Sequence, residues 1–164
     1  MYTYDFSSGF QAKILAYLWR DATFYTMYSD VLKPQYFESE IHIDLARIIT
    51  DYYRKYETSP SKMALIEEVK TLCSRSELKK EKIESYLEQV QEMSEMTFND
   101  GEYIKDKVVE FGQRQAMIEA IFASVDDIKA GKDFERVKTR IQEASQVGVG
   151  IDDLGTSYWE NIEE

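Results

Sequence analysis

Ile104, Phe111, Ile118 and Val125 recur every seven residues, with Val108, Ile121, Phe122 and Ile128 beside them. A seven-residue apolar repeat holds one stripe on one side of an α-helix. It predicts an unbroken helix from about residue 99 to about residue 130, roughly 40 Å long. Ala130, Gly131, Lys132 and Asp133 then read as a short turn, after which Phe134, Val137, Ile141 and Ala144 continue at steps of three and four. Two stripes joined by a short glycine turn predict an antiparallel helical hairpin over residues 99–147. The second helix is the shorter one and cannot cover the whole of the first stripe. Part of that stripe is therefore expected to meet another chain, with Ile104, Val108, Phe111, Ile118, Ile121, Val125, Val137 and Ile141 as candidate interface residues.

The rest of the chain is patterned the same way. Only 7 Gly and 2 Pro occur in 164 residues, too few turn-formers for a sandwich or barrel. Phe10, Ile14, Leu15 and Leu18 make a first helical stripe, and Phe24, Tyr25, Tyr28, Val31 and Leu32 follow before Pro34 breaks the run. Ile41, Leu45, Ile48, Ile49, Tyr52 and Tyr56 make another stripe. Ser59-Pro60 reads as an N-cap with proline at the first helical position, opening a helix with Leu65, Ile66, Val69, Leu72 and Cys73. Ser74 to Glu77 has the spacing of a capping box ahead of Leu78, Ile83, Leu87, Val90 and Met93. The expected fold is all-α: a compact helical head over residues 1–98, followed by the long hairpin.

Beyond residue 147 the composition changes. Gly148, Gly150 and Gly155 fall within eight residues, together with Asp152 and Asp153, as in a flexible acidic linker. Ser157 to Glu160 spells another capping box only a few residues before Glu164. A helix that short is unstable alone in water, so the tail is expected to lead into something longer, with Tyr158, Trp159 and Ile162 as the candidate residues joining it.

The chemistry that these residues allow is narrow. Twenty Lys and Arg against 31 Asp and Glu give a net charge of −11, a field that repels free polyanions. One cysteine and one histidine exclude a disulfide framework and disfavour zinc. His42 reads as a hydrogen-bonded structural histidine and Cys73 as core packing. Gly150 to Ser157 has the glycine spacing of a phosphate-binding loop, but Thr156 stands where lysine is needed and no strand precedes it. The adjacent pairs Glu67/Glu68 and Asp126/Asp127 diverge on a helix and read as solvated faces. Lys129, Lys132, Arg136, Lys138 and Arg140, and separately Lys79, Lys80 and Lys82, read as mixed-charge surface. Tyr52, Tyr53 and Tyr56 read as packing rather than a base-stacking platform. No convergent acid, base, nucleophile or metal set can be assembled. No basic leader precedes an apolar run, and no apolar stretch is long enough to span a bilayer, so a cytoplasmic protein is expected.

The order of these features resembles the N-terminal domain of DnaB-family replicative helicases, in particular those of bacteriophages. The likeness rests on Leu18 through Phe24, on Pro34 to Phe37 followed by His42, and on the helix carrying Ile48, Ile49, Tyr52, Tyr53 and Tyr56. It continues through Ser59-Pro60 and Leu65, the long helix with Tyr103 to Val108 and Arg114 to Ile118, and the hairpin return. The resemblance implies a non-catalytic assembly and docking domain whose hairpins pair between subunits, forming a collar on a hexameric ring that receives primase and, in some systems, a helicase loader. It also implies that ATP, magnesium and DNA are bound by a RecA-like motor beyond the linker, so no cofactor is expected in this chain. The competing expectation is a free-standing acidic helical adaptor that binds another protein.

Overall fold

The computed structural model describes residues 6–151. These are all-α, with no strand among the described residues. The helices are α1 (Ser8–Arg20), α2 (Ala22–Tyr28), α3 (Glu40–Tyr56), α4 (Lys62–Ser74), α5 (Ile83–Glu95), α6 (Gly101–Lys129) and α7 (Phe134–Ser145). Short 3₁₀ turns occupy Pro34–Tyr36 and Lys80–Lys82. The chain divides into two compact units between Ile104 and Lys105, inside α6.

In the first unit α1 is the central element. Every residue from Ile14 to Trp19 is buried, as are Gln11 and Ala12. The sequence predicts a single apolar stripe here. The helix is instead enclosed on all sides, because α2, α3 and α5 each pack against it. Its polar groups find internal partners. Trp19 Nε1 donates to the Pro60 carbonyl at 2.8 Å, and Arg20 donates to the carbonyls of Met93 at 3.0 Å and Met96 at 2.6 Å. The last carbonyls of α5 are thus capped by a cation, which the helix dipole favours at that end. Phe98 stacks on Tyr17 at 3.9 Å and lies under the Arg20 guanidinium.

Two predicted caps move. The N-cap of α4 is Ser61, whose side chain accepts from Ala64 N–H at 3.1 Å. Ser59 and Pro60 are not free to cap because Ser59 Oγ donates to the Trp19 carbonyl and Pro60 receives the indole. The box predicted at Ser74–Glu77 does not form either. Ser74 is the last residue of α4, and Ser76 takes a left-handed φ of 60°. Glu77 and Leu78 N–H groups then return to the Leu72 carbonyl, closing the helix end. Ser74 Oγ accordingly bonds back to the Thr71 carbonyl at 2.7 Å.

α3 and α5 are joined by polar ties. Tyr86, fully buried, donates to Asp44 at 2.5 Å, and burial next to that carboxylate pushes the phenol well above its ordinary range. His42, 2% exposed, meets Gln89 Oε1 through Nε2 at 3.1 Å. Burial lowers its pKa, which agrees with the structural role read from the sequence. Cys73 is buried, as expected. Tyr56 departs from expectation: it lies at the last turn of α3, half exposed, with its ring tilted against Tyr52. Tyr53 instead stacks on Tyr25, with ring centroids 3.6 Å apart.

The second unit holds the rest of α6 and all of α7. Asp133 caps α7 by accepting from Glu135 N–H at 3.1 Å, and Gly131 makes the turn with a φ of 69°. At the foot of α7 Gly148 has a φ of 76° and comes so close to α6 that a Cβ there would lie 2.9 Å from Val109 Cγ1. Glycine is needed at that position for both reasons. The 29 residues of α6 span about 43 Å, and the hairpin predicted from the heptads is present.

Candidate self-association surface on the hairpin

The hairpin is held at its tip by charge. Asp127 is 5% exposed and accepts from Lys132 at 3.1 Å and from Arg140 at 2.6 Å. One carboxylate on α6 thus grips the turn and the first half of α7 together. The bonds from Lys132 and then Arg140 hold its carboxyl below the ordinary 3.8. Sequence reasoning missed this residue by pairing it with Asp126 as a solvated face. The available signal was an Arg on the returning helix thirteen residues away, across a four-residue turn.

A depressed folded-state pKa means that the pairing contributes fully above the carboxyl's ordinary value and is lost as pH falls through the lower, folded one. We expect the Asp127→Asn variant to melt below wild type at about pH 6, and the gap to close on acidification to about pH 2. Thermal unfolding across that range checks it; a gap independent of pH would show that Asp127 acts by shape alone.

Around this anchor the polarity of α6 is inverted. Ala116, Ala120, Ser124 and Asp127 are the buried positions of its second half, while Ile121, Phe122, Val125 and Ile128 are exposed. The buried positions are mostly small, and on α7 Val137 and Ala144 are the buried positions. Large apolar side chains are left outward. The heptad stripe therefore changes character along its length: Ile104 is 1% exposed, Phe111 0%, Ile118 intermediate and Val125 42%.

The eight candidate interface residues separate accordingly. Ile104, Val108, Phe111 and Val137 are buried within the chain and offer no free face in this conformation. Ile118 is half-buried, and Ile121, Val125 and Ile141 are exposed. Phe122 and Phe134, which the candidate set omits, add to the exposed apolar area, Phe134 being 75% exposed. Tyr158, Trp159 and Ile162 lie outside the described residues. Most of the exposed large apolar side chains of the second unit thus stand in the distal half of the hairpin.

The head offers less. A groove of about 250 Å³ lies between α3 and α4. Of its carboxylates, Asp44 already binds Tyr86 and Arg47, and Asp51 pairs with Arg54. The lysines Lys79 and Lys82 converge on Glu40 and hold its carboxyl down to about 2. Among the described residues no group of His, Cys, Asp or Glu is placed to hold a metal ion, and no helix is long and apolar enough to cross a membrane. No family model matches the sequence, and no curated protein matches it.

Proposed function

We propose that this chain is an assembly and docking module that pairs through its hairpin, and that it forms the N-terminal collar domain of a phage-type replicative DNA helicase. The observation that carries the reading is the uncovered end of the heptad stripe, with Ile118 half-buried and Val125 42% exposed. A stripe buried over its first half and open over its second suits a helix that continues its packing against a like helix from another copy. On this reading six copies make the collar of a cytoplasmic ring, primase or a helicase loader docks on it, and no reaction is catalysed here. ATP, magnesium and DNA are handled by a RecA-like motor to which the acidic tail connects.

Two measurements test the two halves of the proposal. Light scattering of the full chain at high concentration is expected to give a multiple of 19.2 kDa. Val125→Asp, which places a charge in the paired face, is expected to reduce it to a single chain without loss of helical circular dichroism. Equal masses for the two proteins would remove the hairpin as the interface. Reading the gene beyond the Glu164 codon tests the helicase assignment: a strand, a Gly-x-x-x-x-Gly-Lys-[Ser/Thr] loop and a helix support it. A stop codon in their place replaces it with a free-standing acidic adaptor.

A further inference from the structure

The groove between α3 and α4 has an apolar floor. Ile48 and Tyr52, one turn apart on α3, line it together with Leu72 of α4 and Leu78 of the segment that follows. Ile48 is buried, while Tyr52, Leu72 and Leu78 are half-buried and open to solvent. Tyr56, at the last turn of α3, is 50% exposed with its ring tilted against Tyr52. From Asp44 to Tyr56 the α3 wall runs about 18 Å, roughly three turns. At about 250 Å³ the space is smaller than sites that enclose a small molecule, which begin at roughly 300 Å³. Its length suits the side chains of a helix laid between the two walls.

The charges around the floor do not balance. Asp44, Asp51, Glu68 and Glu77 line the groove, against Arg47 and Lys55. Both cations are engaged within the chain: Arg47 bonds Asp44 at 3.2 Å, and Lys55 Nζ lies 4.8 Å from the centre of the Tyr56 ring. Asp51 pairs with Arg54 of its own helix at 2.9 Å. Glu68 and Glu77 are exposed, and their carboxylates make no ion pair or hydrogen bond among the described residues. Lys55 feels Glu68 only through space. An acidic partner would meet these two carboxylates, the field of a chain of net charge −11, and no free cation. A basic partner meets an apolar floor beside two unpaired carboxylates.

We propose that this groove docks a basic amphipathic helix of another protein, its apolar face on Ile48, Tyr52, Leu72 and Leu78 and its lysines or arginines on Glu68 and Glu77. This gives the docking half of the reading above a partner chemistry and rests on that half alone. No residue of the pairing surface on the hairpin takes part.

The probe is a fluorescein-labelled synthetic helix of about 12 residues, the length of the groove, with leucine on one face and lysine on the other. Fluorescence anisotropy with the full chain should show saturable binding, at least about ten-fold tighter than for the same peptide carrying glutamate in place of lysine. Glu68→Lys combined with Glu77→Lys should weaken binding by about ten-fold or more, and Tyr56→Ala several-fold. All three positions are exposed, and unchanged helical circular dichroism checks the fold. Glu84→Lys combined with Glu88→Lys makes the same change of charge at exposed positions of α5 and should leave the affinity within about two-fold. No saturable binding of the lysine peptide, or no loss in the Glu68 and Glu77 variant, would overturn the proposal. Equal losses in the two double variants would overturn it as well, since net charge alone would then attract the peptide. A fall in the mass of the chain by light scattering in the Glu68 and Glu77 variant would put a second copy in the groove, and that also overturns it. Val125→Asp should leave peptide binding unchanged, so failure of the pairing reading and failure of this one are separable.

Discussion

Phe111→Ala is expected to lower the unfolding free energy by about 3–5 kcal/mol, while Val125→Ala changes it by no more than about 0.5 kcal/mol. The two residues occupy equivalent places in one heptad pattern, fourteen residues apart, and the pattern alone assigns them equal roles. Their surroundings differ. Phe111 is fully buried, and truncating it removes the ring and leaves a cavity in a region that cannot collapse around it. Val125 is 42% exposed, so its methyls already touch water in the isolated chain. Urea unfolding followed by far-UV circular dichroism, at a concentration where the protein is monomeric, separates them. A small loss for Phe111→Ala would mean that this ring is not core. For the same reason Phe111→Asp is a poor test of association: it buries an unpaired charge and attacks the fold itself.

The second large effect is expected at Gln11. It is 0% exposed, and its amide bonds two backbone groups that lie outside the helices. Nε2 donates to the Phe6 carbonyl at 3.0 Å, and Oε1 accepts from Glu38 N–H at 2.9 Å. Leu at this position fits the apolar surroundings yet removes both bonds, at about 1–3 kcal/mol for each buried bond lost. Gln11→Leu should therefore destabilise the protein by about 2–6 kcal/mol in total, against the usual rule that an added buried apolar group helps. Hydrogen exchange at the Glu38 amide gives a local reading. Its protection should fall further in this variant than that of amides in the middle of α3. Unchanged protection at Glu38 would show that the bond contributes nothing.

Gln11 also illustrates what sequence reading overlooks. A glutamine between Phe10 and Ala12 carries no pattern; only the fold brings Glu38 N–H to it. Asp127 is the same case in charged form. Its neighbour Asp126 makes the pair look like a solvated face, and the return of Arg140 across the turn makes Asp127 the anchor of the hairpin. The caps at Ser59 and Ser74 were misplaced for a related reason. Capping patterns state which side chains can satisfy free N–H groups, but Ser59 is drawn away by the Trp19 carbonyl and Ser74 by its own helix end.

The helices and their order follow from local pattern. Spacing of apolar residues, glycine at the turns and the scarcity of other breakers are local properties, and a helix is stabilised by bonds within a few residues of each other. The length of α6, the turn at Gly131 and the shorter return of α7 were all legible in that way. Tertiary structure decided which parts of each stripe are covered. Burial depends on what lies opposite, and periodicity is blind to that. α1 has a one-sided pattern and is enclosed all round, whereas α6 has one continuous stripe that is buried at Phe111 and open at Val125. In the distal half of α6 the small residues Ala116, Ala120 and Ser124 take the buried positions, and the large Ile121, Phe122 and Val125 are left exposed, a division that depends on what lies opposite each face and not on the repeat.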